Sequence, residues 1–191
     1  MAAGPCTSTG PITRPITRPI TGPIHGHLVG EPAPAFAGVD THGAAVTSAS
    51  LRAGTTLLAF FPLAFTGVCG DELGELSAAA EPGGALAEFA ESAGTAGLRV
   101  LAVSCDPMAS QRAWREQRGF GFELVSDFWP HGRIAHAFGV FDETSGRAER
   151  ASFLIDSAGT VRWSLVHPAG LPRPVSAYAD ALAGLARPGR D

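Results

Sequence analysis

The chain has 191 residues, 45% hydrophobic and 17% charged, with a formal net charge of −4. That length suits one domain with a well-buried core, and the apolar share excludes a disordered chain. The acidic balance argues against a surface for nucleic acid or anionic membrane, so neither is expected as a partner.

All 14 basic residues are arginine, which no mechanism requires. The longest apolar stretch, roughly Leu57 to Phe65, is about half a membrane span and is broken by Pro62. No basic-then-apolar leader with a cleavage site is legible. Cys6, Cys69 and Cys105 are widely spaced. That is not a disulfide framework, and it fits a reducing compartment, so a cytoplasmic location is expected.

Residues 1–26 stand apart, with PITRPITRPITGPI repeating a proline every four residues. Proline at that period forbids a helix or a central strand, so a disordered tail is expected, with the domain spanning 27–191. The tail carries Cys6 and the pair His25 and His27, read as incidental. Beyond it, TTLLAFF (55–61) reads as a strand buried on both faces. Helical spacing follows over 69–80 and 85–93, then a strand over 98–104 and a helix over 108–118. A strand over 122–126 and a short helix from Ile134 to Phe138 come next. Strands over 149–156 and 160–167 flank Ser157–Gly159, a hairpin signal. A last helix over 174–185 places Val175, Tyr178, Leu182 and Leu185 on one face. Strand–helix–strand order implies parallel pairing in the middle, and the terminal hairpin makes the sheet mixed. The expected fold is α/β and thioredoxin-like: a central mixed sheet flanked by helices, with an N-terminal extension.

In such sheets ligands gather outside the carboxyl ends of the central strands, where both Cys69 and Cys105 fall. Cys69 sits at or near the first turn of a helix, where free N–H groups and the helix dipole favour a thiolate. A thiolate is a nucleophile, although a helix start is also a common place for a packing cysteine.

The segment FFPLAFTGVCGDEL (60–73) carries Pro62, Thr66 and Cys69 in the pattern PxxxTxxC, with Glu72 three residues on. This resembles the signature of the peroxiredoxins. FFPLAFTGVC, SCDP (104–107), SDFWPHG (126–132) and FGVF (138–141) are similar to the alkyl hydroperoxide reductase E subgroup. The resemblance runs from about Val29 to the last helix.

It implies a thiol-dependent peroxidase of the one-cysteine type, acting on hydrogen peroxide and organic hydroperoxides, with peroxynitrite a further candidate, in antioxidant defence. On the same resemblance Cys69 attacks the peroxide, Thr66 orients it and Pro62 walls the site. Arg150 holds the thiolate charged and stabilises the leaving oxygen, and Glu72 orients Arg150. Cys105 has two readings, a packed thiol or a cysteine that resolves oxidised Cys69. Resolution from five residues past the nucleophile is excluded, because Gly74 stands there. The implied reductant is a mycoredoxin, a thioredoxin-like protein or a low-molecular-weight thiol. No metal or other cofactor is expected, and a homodimer packed around DFWPHG is. Trp129 in that segment is read as a core or dimer-contact aromatic.

Two rival readings use the same cysteine. A disulfide oxidoreductase would need a C-x-x-C partner, which Glu72 does not supply. A peroxide sensor or redox-regulated holdase would stop after one equivalent of peroxide.

Overall fold

The computed structural model describes residues 28–95, 97–168 and 170–185. The expectations for the tail, Cys6, His25 and His27 lie outside the described residues.

The expected strand–helix alternation is present as β3 (Thr55–Phe60), α1 (Gly67–Ala80), α2 (Ala85–Ser92), β4 (Leu98–Ser104), α3 (Met108–Arg118) and β5 (Glu123–Ser126). After it come α4 (Arg133–Ala137), β8 (Arg150–Ile155), β9 (Val161–His167) and α5 (Val175–Leu185). Four short strands were not anticipated: β1 (Ala37–Asp40), β2 (Ala45–Thr47), β6 (Phe141–Asp142) and β7 (Arg147–Ala148). They are two to four residues long, too short for alternation to rise above noise. The β1–β2 turn nonetheless has a local cause. The Asp40 carboxylate accepts from the N–H groups of His42 and Ala44, and Gly43 takes a φ of 84°.

The main sheet runs β2-β1-β5-β4-β3-β8-β9. β3 pairs parallel with β4, and β4 with β5, while β8 lies antiparallel against β3 and β9 against β8. This is a thioredoxin-like mixed sheet, and its two faces bury separate cores. On β4, Val100 and Ala102 face the cluster that holds Leu73 and Leu76 of α1, Leu86 of α2, Trp114 of α3 and Tyr178 and Leu182 of α5. Leu101 and Val103 face the other cluster, with Ile134 of α4, Phe138 and Phe153. Both faces of β3 are buried, which is why its sequence reads as unbroken apolar residues rather than as alternation.

Topology places three chain segments at one edge. β3 leaves the sheet at Phe60 and β4 at Ser104, both by their carboxyl ends. β8 runs the other way and begins there at Arg150, since Phe60 pairs with Ala151. Among the described residues no helix is long and apolar enough to cross a membrane.

Candidate active site

Cys69 is the third residue of α1, and the preceding Thr66 is its N-cap in extended conformation. The Thr66 hydroxyl makes no capping bond; it donates back to the Leu63 carbonyl at 3.0 Å. The first intrahelical bond is from Gly70 N–H to the Thr66 carbonyl at 2.9 Å. The first-turn N–H groups around Cys69 are therefore left uncapped by that side chain, the arrangement that makes a helix start receptive to an anion. The loop leading into it is held to β4 by Asp106. Its carboxylate accepts from Ala64 N–H at 2.9 Å and from the Ser104 hydroxyl at 2.7 Å. Phe65 in this loop has a φ of 59°, in the left-handed region that non-glycine residues rarely occupy. Its exposed ring lies 6.0 Å from that of Trp114.

The Cys69 side chain is 2% exposed and packs in the core cluster on the α1 face of the sheet. Arg150, equally buried, donates from Nη2 to its sulfur at 3.3 Å. The other amino group of Arg150 forms a short ion pair with Glu72 Oε2. Cys69 and Glu72 are three apart on one helix, so both project toward the start of β8. Burial of both side chains makes Arg150 no solvated strand residue and Glu72 no surface charge.

A second arginine completes the cluster, and nothing in the sequence singled it out. Arg173, 1% exposed, donates to Glu72 Oε1 from both its backbone N–H and Nε at 2.7 Å. Its Nη2 donates to Glu72 Oε2 at 3.1 Å. Its Nη1 reaches the carbonyls of Phe60 (2.9 Å) and Ala151, and the Ser152 hydroxyl at 2.9 Å. Arg173 thus ties together the end of β3, the start of β8 and the first turns of α1. Its local text, LPRP between β9 and α5, reads as an ordinary proline-rich loop.

A pocket of about 520 Å³ opens beside this cluster. Its lining includes Pro62, Arg150, Ala148, Val166, Arg147 and His167. The structure thus brings Arg150 into direct contact with both Cys69 and Glu72. Thr66 stands one helical turn before the sulfur, and Pro62 stands on the pocket wall beside Arg150.

Cys105 lies elsewhere. It directly follows β4, and its thiol neighbours are Asp127 and the N–H groups of Ala148 and Gly132. Ala148 belongs to the core on the face opposite Cys69. Burial, reinforced by the Asp127 carboxylate, pushes the Cys105 thiol up to about 12. Both Cys69 and Cys105 are free thiols. Asp127 itself is held above the usual carboxylate range by burial, against the pull of the Ile134 and Ala135 N–H groups it caps.

Trp129 corrects one expectation. It is 83% exposed, so it is no core aromatic. Asp127 turns inward to cap α4, and the turn that follows carries Trp129 out to solvent.

Most of the chain is similar to known proteins. A family model described as the AhpC/TSA family matches residues 29–164. Alkyl hydroperoxide reductase E of Mycobacterium tuberculosis is 40% identical over 158 residues, 82% of this chain and 97% of that protein. A putative peroxiredoxin in the rubredoxin operon of Clostridium pasteurianum is 33% identical, covering 78% of this chain and 83% of its own. The crystal structure of Enterococcus faecalis AhpC superposes with a TM-score of 0.69 at 25% identity, over 82% of this chain and 91% of that one. The chain belongs to the AhpC/TSA family, as a peroxiredoxin of the alkyl hydroperoxide reductase E type and a thiol-dependent peroxidase.

Proposed function

We propose that Cys69 is the peroxide-attacking residue, and that Arg150, Thr66 and Pro62 form the site around it. The observation that carries this reading is the 3.3 Å contact from Arg150 Nη2 to the Cys69 sulfur, inside a buried ion-pair cluster. A guanidinium held by Glu72 cannot follow the solvent, so it offers a fixed cation to a thiolate and to negative charge growing beside it.

The thiolate attacks one peroxide oxygen, forming the S–O bond of a sulfenic acid as the O–O bond breaks. The other oxygen leaves as alkoxide or hydroxide and takes a proton, giving an alcohol or water. The Thr66 hydroxyl already donates to Leu63, so its lone pairs are available to accept the peroxide O–H. Pro62 limits water on the pocket side. The apolar surface of Ala148 and Val166 in the adjoining pocket would suit the organic group of a hydroperoxide, and hydrogen peroxide needs no such surface.

Cys105 is proposed as a packed thiol, since burial and Asp127 disfavour its ionised form and it faces the other core. The sulfenic acid then waits for an outside thiol, which condenses with it to a mixed disulfide and water. A second thiol releases Cys69 and leaves as a disulfide. A mycoredoxin, a thioredoxin-like protein or a low-molecular-weight thiol fits that role. A cytoplasmic homodimer is part of the same reading, and the exposed Phe128 and Trp129 support a contact there.

Steady-state peroxide consumption with a thiol donor, read beside mass spectrometry of Cys69, tests the whole reading. Catalytic consumption with one oxygen gained on Cys69 is expected, and Cys69→Ser should abolish it. Full turnover by Cys69→Ser would overturn the assignment.

A further inference from the structure

Beyond the arginines, the buried polar cluster continues further, through β8 to a tyrosine of α5. Ser152, fully buried on β8, receives Arg173 Nη1 at 2.9 Å and shares a 3.1 Å hydrogen bond with the Tyr178 hydroxyl. Arg173 Nη1 has two hydrogens and three oxygens within reach: Phe60 O, Ala151 O and Ser152 Oγ. Its orientation therefore depends on how firmly each acceptor is held. Two are backbone carbonyls at the β3–β8 ladder, fixed by the sheet. The third is a hydroxyl that would rotate unless its own bonding is completed, and Tyr178 completes it.

Tyr178 is itself held. It is 2% exposed, sits in the α1-side core, and its ring meets that of Trp163 edge-on at 6.0 Å. Its hydroxyl stays protonated, because burial raises it above the usual phenol range while the Arg173 charge pulls the other way. The phenol also stands five residues after Arg173, so one short segment meets β8 through both side chains.

We infer that Tyr178 is a positioning residue for the peroxide reaction: through Ser152 its hydroxyl fixes Arg173, which with Glu72 holds Arg150 against the Cys69 sulfur. This rests on the proposed role of Arg150. The linkage runs Tyr178, Ser152, Arg173, Glu72, Arg150 and Cys69, each joined to the next by a contact in the structure. Slack at Ser152 lets the Arg173 guanidinium turn, and the carboxylate it grips moves with it.

The test removes only the hydroxyl. Tyr178→Phe keeps the ring in the core and should slow the second-order reaction of Cys69 with peroxide roughly five-fold, the share of one neutral hydrogen bond. The rise of that rate with pH should shift toward alkaline values, the signature of a loosened guanidinium that a packing defect alone would not give. Ser152→Ala should show the same rate and profile. Adding Tyr178→Phe to Ser152→Ala should change neither further, because the hydrogen-bond path from the phenol to Arg173 passes through Ser152. A wild-type rate and profile in Tyr178→Phe, whatever its melting temperature, would overturn the inference, as would additive losses in the double variant. Arg150→Ala measured alongside separates the two levels. If it also reacts at the wild-type rate, the reading of the site itself fails; if it alone is slow, only the role of Tyr178 fails.

Discussion

The Arg150 guanidinium stands 3.3 Å from the Cys69 sulfur across 81 residues of chain. Antiparallel pairing of β8 with β3 starts the one strand where the other ends. The arginine is thereby delivered beside the helix that follows β3. Neither side chain has enough exposure for solvent to screen the contact.

Removing that guanidinium gives a direct prediction. Arg150→Ala should slow peroxide attack by roughly 10²-fold, comparable with the loss of a donor to a developing oxyanion. Stopped-flow measurement of the second-order rate checks it, and an unchanged rate would return Arg150 to a purely structural role. Glu72 would also lose one of its two cations, so the variant should melt at a lower temperature.

Arg173→Met should be the more damaging change for stability. It removes both side-chain bonds to Glu72 and the stitch between Phe60 and Ala151, and leaves only the backbone N–H of residue 173 on the carboxylate. Breaking a buried ion pair from one side costs on the order of 3–5 kcal/mol. Denaturant midpoints should fall accordingly, and a shift below about 1 kcal/mol would mean that Arg150 alone satisfies Glu72.

For Cys105, the expected chemistry is inertness. Excess peroxide without reductant should carry Cys69 past the sulfenic acid to the sulfinic form, adding two oxygens and ending activity. Cys105→Ser should keep turnover with an external thiol largely intact. Non-reducing peptide mapping after one equivalent of peroxide checks this. A Cys69–Cys105 bridge in most molecules would make Cys105 the resolving residue.

The same thiol sets a pH dependence. Its folded value of about 12 lies above the ordinary 9.0. Below about pH 9 both folded and unfolded chains keep the proton. From there to about pH 12 only the folded chain does, so rising pH favours unfolding. Cys105→Ala should therefore lose less stability than the parent between those limits. Equal slopes in alkaline denaturation curves would show that the site is more hydrated than its burial implies.

Much of this molecule was legible in the residues themselves. TTLLAFF and LRVLAVS read as buried strands because parallel strands covered on both faces need apolar side chains at every position. The stripe of Tyr178 and Leu182, flanked by Val175 and Leu185, read as a helix because only one face of α5 meets the core. Cys69 and Glu72 could be placed on one helical face because that relation is local, fixed by 3.6 residues per turn. Arg150 came from the resemblance of RASFLID to a family pattern, not from any local signal. Arg173 was invisible: its value lies in Glu72, 101 residues away, and a loop arginine between two prolines carries no periodicity. Cys105 and Trp129 were ambiguous for a related reason. Which side of a strand end a side chain takes, and whether a turn points in or out, is decided by what packs there. Asp127 capping α4 bears on the placement of both, with its carboxylate beside the Cys105 thiol and the following turn carrying Trp129 to water. Local spacing determined the elements and the helix start; long-range pairing and burial decided which charges meet.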